Sequence, residues 1–92
     1  MKQVWKFVPQ LADISEIAMP AGAQILTVAA QHGNITLWAL VDPLAPPESR
    51  IFRIAGTGHA IDAAECGHYL GTAILADGAL VFHVFEIKES EV

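Results

Sequence analysis

Positive charge is scarce. The 92 residues hold five lysines and arginines against ten acids, a net charge of −5. A nucleic-acid polymer is held by a basic stripe that displaces counterions. Lys2, Lys6, Arg50, Arg53 and Lys88 cannot make a stripe of any size, which excludes duplex or single-stranded polymers as partners. One or two arginines still suffice for a small anion. Cysteine is nearly absent: Cys66 alone forms no intramolecular disulfide and fits a reducing, cytoplasmic setting. No run approaches about twenty apolar residues, so no spanning helix is expected and no membrane contact. Residues 1–6 lack the apolar stretch of a secretory leader. Helical composition is confined to residues 60–66, a segment too short to hold a helix unaided, and it reads as a loop with room for one turn.

Apolar side chains are what the sequence has in plenty, 53% of the chain. They fall in strand-length runs: residues 4–8, 14–19, 24–31, 34–41, 49–56, 67–76 and 79–88. His32-Gly33 and Asp77-Gly78 each separate two such runs, as two-residue hairpin turns do. Pro9 closes the first run, and the proline-dense segment 42–48 reads as a loop with an exposed tip. The tail, residues 89–92, is short and acidic and reads as frayed. One all-β domain over residues 1–92 follows, a compact antiparallel sandwich or partly closed barrel of six to seven strands.

Two runs are apolar on both sides. Val81, Phe85 and Ile87 alternate with Leu80, Phe82 and Val84; Ile35, Leu37, Ala39 and Val41 alternate with Trp38 and Leu40. A strand wet on one side alternates polar with apolar, so both faces of these strands need cover. A chain this small gains that cover by wrapping tightly or by pairing with another copy, and a homo-oligomer is the expectation.

Polar, loop-forming residues concentrate in Gly56-Thr57-Gly58-His59 and Gly67-His68-Tyr69-Leu70-Gly71-Thr72. The first reads in two ways: an anion cradle, in which glycines admit the ligand and Thr57 and His59 donate, or a strand-ending turn that needs glycine for positive φ. No Gly-Lys-Ser/Thr follows, so it is not a Walker loop. Arg50 and Arg53 fall on opposite strand faces. Arg53, beside Ile51 and Ala55, is the candidate phosphate holder, with an arginine–carboxylate pair as the competing reading. Tyr69 and Trp5 are candidates for stacking a base, whereas Trp38 reads as core. His32, His59, His68 and His83 with Cys66 match no zinc spacing, and no metal or cofactor is expected. His32 reads as a solvated turn residue and His83 as a core or interface histidine with a hydrogen bond. A Cys66–His68 or Cys66–His59 nucleophile pair lacks a third, orienting group, so the chain reads as a non-enzyme.

Trp5-Lys6, Met19-Pro20-Ala21-Gly22-Ala23 and Leu37-Trp38-Ala39-Leu40-Val41-Asp42 belong to a longer pattern. Phe52-Arg53-Ile54 leading to Gly56-Thr57-Gly58-His59, then Gly71-Thr72, and the run from Gly78 through His83 to Glu86 complete it. Together these resemble a family of short, uncharacterised phage and prophage proteins. The resemblance spans nearly the whole chain and implies a phage context, with no catalytic residues attached. In that context two functions are expected. One is sequestration of a small anionic, nucleotide-like ligand, an anti-defence sponge, by Arg53, Gly56, Thr57, Gly58, His59 and Tyr69. The other is a protein–protein interaction module that binds a host or virion protein. A hydrolase of nucleotide signals ranks behind both.

Overall fold

The computed structural model describes residues 1–87. Lys88, expected at the end of a strand, and the acidic tail lie outside the described residues. Among the described residues seven strands form: β1 (Gln3–Phe7), β2 (Ile14–Pro20), β3 (Gln24–Gln31), β4 (Asn34–Val41), β5 (Pro47–Gly56), β6 (His68–Leu75) and β7 (Leu80–Glu86). They pair antiparallel in two sheets, ordered β1-β4-β3 and β2-β5-β7-β6. The Cα trace measures 39 × 35 × 17 Å, two layers thick. The all-β sandwich expected from the apolar runs is therefore the fold.

Alternation decides what faces inward. Ile35, Leu37, Ala39 and Val41 of β4 are buried against Phe52 and Ile54 of β5, Ala73 and Leu75 of β6 and Val84 of β7. Phe52 is wholly buried, which stabilises the fold by about 2–3 kcal/mol relative to an exposed ring. The second face of β4 is covered only in part, and Trp38, expected in the core, is half-buried there with Leu40. Thr36 is buried there, and the Lys6 ammonium donates to the Gln31 side chain at 3.0 Å, bridging from β1 to β3 across β4.

Both expected hairpins are present. His32 and Gly33 take positive φ between Gln31 and Asn34, which pair directly. Asp77 and Gly78 also take positive φ, and the Ala79 N–H donates to the Ala76 carbonyl around them. Ala76 turns left-handed as well, so pairing stops one step earlier than expected, at Leu75 and Leu80. β5 begins at Pro47, inside the segment expected as loop. Proline is tolerated as the first residue of a strand, and Pro47 pairs with Pro20. Leu44, at the loop tip, is exposed. Residues 60–66 are loop with a single 3-10 turn at Ala63–Glu65, opened by the Asp62 carboxylate accepting from the Ala64 N–H.

Two features were not legible as periodicity. β3 and β6 each contain a bulge, at Leu26 and Leu70. Between these edges the sheets come close: a Cβ on Gly71 would lie 3.0 Å from the Val28 Cβ, so a larger residue there would push β6 from β3 by a few tenths of an ångström.

Candidate functional site

The site lies on the side of the β2-β5-β7-β6 sheet that faces away from the core. Register sets its members. Ile14 pairs with Arg53, Arg53 with Phe85 and Phe85 with Tyr69; Ala55 pairs with His83 and His83 with Thr72; Val81 pairs with Ile74. β5 and β6 run in the same direction with β7 between them, so the chain from 57 to 67 must cross from one end of the sheet to the other.

Arg53 fastens that crossing. It is only 7% exposed. Its Nε donates to Glu65 at 3.2 Å, Nη2 to the Ala60 carbonyl at 3.2 Å, and Nη1 to the carbonyls of Ile54 and Asp13. The Asp13 carboxylate stands 3.7 Å away. The arginine–carboxylate pairing weighed for this residue is thus its arrangement here, with every guanidinium nitrogen directed to the chain's own acceptors.

Residues 56–59 form a turn. The His59 N–H donates to the Gly56 carbonyl at 3.0 Å, and Gly58 has φ +87°, a conformation that favours glycine. The Thr57 N–H donates to the Val81 carbonyl. Two of the N–H groups expected to cradle an anion are therefore already bonded. The His59 ring lies over Gly56, where a Cβ would stand 2.9 Å from its Cε1, and both border a shallow cavity of about 240 Å³ with Asp13 and Phe82.

The Thr57 side chain does something else. Its Oγ1 is 2.7 Å from His83 Nε2, and His83 Nδ1 is 2.9 Å from Thr72 Oγ1. Thr72 Oγ1 is in turn 2.5 Å from the Tyr69 hydroxyl. The two Gly/Thr segments, apart in the sequence, thus meet through His83. Tyr69, 53% exposed, packs its ring on Phe85 with centroids 5.4 Å apart. Sequence reasoning placed His83 as a hydrogen-bonded histidine but missed Thr72. The signal was available: His83 and Thr72 are the polar exceptions on otherwise apolar alternating faces.

A larger hollow of about 480 Å³ opens beside Glu48, Ser49, Arg50, Ile51, His68 and Glu86, and it holds none of the expected ligand residues. Arg50 lies there on the opposite face from Arg53. It is bidentate to Glu86, with Nη2 to Oε1 at 2.9 Å, and donates to the Ala23 carbonyl at 2.8 Å. Donating its hydrogen bonds to Glu86 raises the Arg50 pKa above its ordinary value, with the charges of Glu86 and Glu48 adding to it, against a lowering by burial. Neither described arginine presents a free guanidinium to an anion. Among the described residues, no three His, Cys, Asp or Glu side chains gather as a metal site. No helix there is long and apolar enough to cross a membrane.

The fold and this face define a small all-β sandwich domain with a hydrogen-bonded polar cluster set in an apolar sheet surface. The chain belongs to the family described as Domain of unknown function (DUF7352), whose model matches residues 1–92. No curated protein and no solved structure matches the chain.

Proposed function

We propose that the chain is a non-enzymatic interaction protein of phage type that engages a host or virion protein through Tyr69, Ile74 and Phe85. The observation that carries this reading is the state of the polar groups around that corner. Both ring nitrogens of His83 lie within hydrogen-bond distance of threonine hydroxyls, and the Arg53 donors go to the chain's own acceptors. No buried side-chain nitrogen or oxygen lacks a partner among the described residues. Such a surface strands few donors when an apolar partner dehydrates it. A site for a hydrogen-bonding ligand would leave more of them free. Tyr69 and Ile74, at 53% and 60% exposure, supply the apolar contact.

The test uses the full chain as bait in host lysate, wild type beside Ile74→Glu. The Ile74 side chain is largely in solvent, so the variant should fold. A host protein retained by the wild type and reduced at least about tenfold with the variant is expected. Equal retention by both would remove this corner from the reading.

One observation favours the second reading, capture of a small anionic nucleotide-like ligand: residues 56–59 and 67–72 come together at His83 and Tyr69. Native mass spectrometry after incubation with a nucleotide extract tests it. A discrete mass released intact on denaturation, and lost in Thr57→Val, is expected under that reading. Thr57 is a better position for the test than Arg53, whose removal would loosen the loop itself.

A further inference from the structure

Four strands stand at sheet edges: β1 and β3 in one sheet, β2 and β6 in the other. Three carry devices that discourage further pairing. β1 is five residues long and holds Lys6. β3 and β6 break register at their bulges and close on each other where Gly71 meets Val28. Short strands, lysines and bulges are the means by which proteins keep edges from pairing. β2 has none of them. Its register on β5 runs unbroken from Ile14 to Pro20, it has no lysine or arginine, and proline stands only at its last position. Its one charged side chain, Glu16, accepts from the Ser49 hydroxyl. Among the described residues, the backbone groups of residues 14–19 bond only to β5, so alternate N–H and C=O groups face outward unpaired.

We infer that the β2 edge takes β2 of a second copy of this chain, antiparallel, joining two four-stranded sheets into one continuous sheet. A two-fold axis at position 17 pairs 14 with 20, 15 with 19 and 16 with 18. Every pair then shares a face, so the core sides of the two sheets stay aligned. Glu16 lies directly opposite Ala18, and the two Glu16 side chains stand as diagonal neighbours, about 7–8 Å apart, rather than face to face. The side chains flanking the edge suit the contact: Ile14 is 43% exposed and Ala18 is exposed on the outer face. A seven-residue strand pair lies at the small, reversible end of protein interfaces, so the association is concentration-dependent. The seam leaves Tyr69 and Ile74 free at both far ends of the joined sheet. It does not depend on the partner proposed for that corner.

Sedimentation velocity of the full chain from about 5 to 500 µM tests this, together with amide exchange at both ends of that range. The expected result is a shift from monomer to dimer, with the outward-facing amides among residues 14–19 slowed about fivefold or more as concentration rises and those of β1 unchanged. Ala18→Lys, a charge at an exposed position on the edge, should weaken the dimer at least about tenfold. Ile17→Cys in a Cys66→Ser background should oxidise to a covalent dimer. A chain that stays monomeric throughout, or a dimer whose β2 amides exchange as fast as in the monomer, overturns the inference. The exchange readout on the unmodified chain decides even if a variant fails to fold. Binding of a host protein at Tyr69 and Ile74 is read separately, in pull-down, so either idea can fail alone.

Discussion

The two sides of β5 put an arginine to different uses. On the core side, Arg50 sits near the rim, where Glu86 and Glu48 neutralise it and some solvent still reaches it. On the outer side, Arg53 lies under the 57–67 crossing and is almost fully buried, gripping Glu65, Ala60 and Asp13. The same side chain is a rim clamp on one face and a pin through a loop on the other. What differs is the chain segment that passes overhead, a property of topology rather than of the strand.

Removing each arginine in turn should separate these roles. Arg53→Ala leaves Glu65 and several carbonyls without their donor, and a loss of about 3 kcal/mol in urea unfolding is expected. The loop should loosen too, seen as faster proteolytic cleavage within residues 57–67. A loss below about 0.5 kcal/mol would show that the crossing holds without its pin. Arg50→Ala should cost less, about 1–2 kcal/mol, because its pair is partly solvated. Since the folded Arg50 pKa lies above the ordinary value, its contribution is complete below that ordinary value and is lost only as pH rises through the folded one. The gap between wild type and Arg50→Ala should therefore stay level from about pH 7 to 10; a gap that narrows in that range would contradict the pairing. The smallest effect belongs to Thr57→Val, about 0.5–1 kcal/mol, from one lost hydrogen bond to His83. If Thr57→Val and Arg53→Ala sum to more or less than their parts, the two fasteners of the loop are coupled, which a double-mutant cycle reads directly.

Strand period alone placed Arg50 and Arg53 on opposite faces, and the His32-Gly33 and Asp77-Gly78 pairs marked both hairpins. Those are local facts, fixed by neighbours in the chain. The partners of Arg53 are not local: Glu65 is 12 residues away and Asp13 is 40. Nothing in a spacing of apolar residues foretells which loop will lie over which side chain. For the same reason Gly56-Thr57-Gly58-His59 could be narrowed to two readings and no further. Its backbone behaves as the strand-ending turn, while the Thr57 hydroxyl is drawn into a cluster whose centre, His83, comes from the last strand. The bulges at Leu26 and Leu70 left no mark either, since a leucine inside a strand run looks the same whether or not it is paired.

The position of β7 has a consequence for how the chain acquires its shape. The last strand in order is an interior strand of its sheet, lying between β5 and β6. Until it inserts, β6 has no sheet partner and β5 lacks one of its two neighbours, so the four-stranded sheet cannot close ahead of it. The hairpins can flicker early, but the sheet should assemble in one late step governed by distant pairings, which makes folding slow and all-or-none. A chain cut before Leu80 would then be not a smaller version of this domain but an unfolded one.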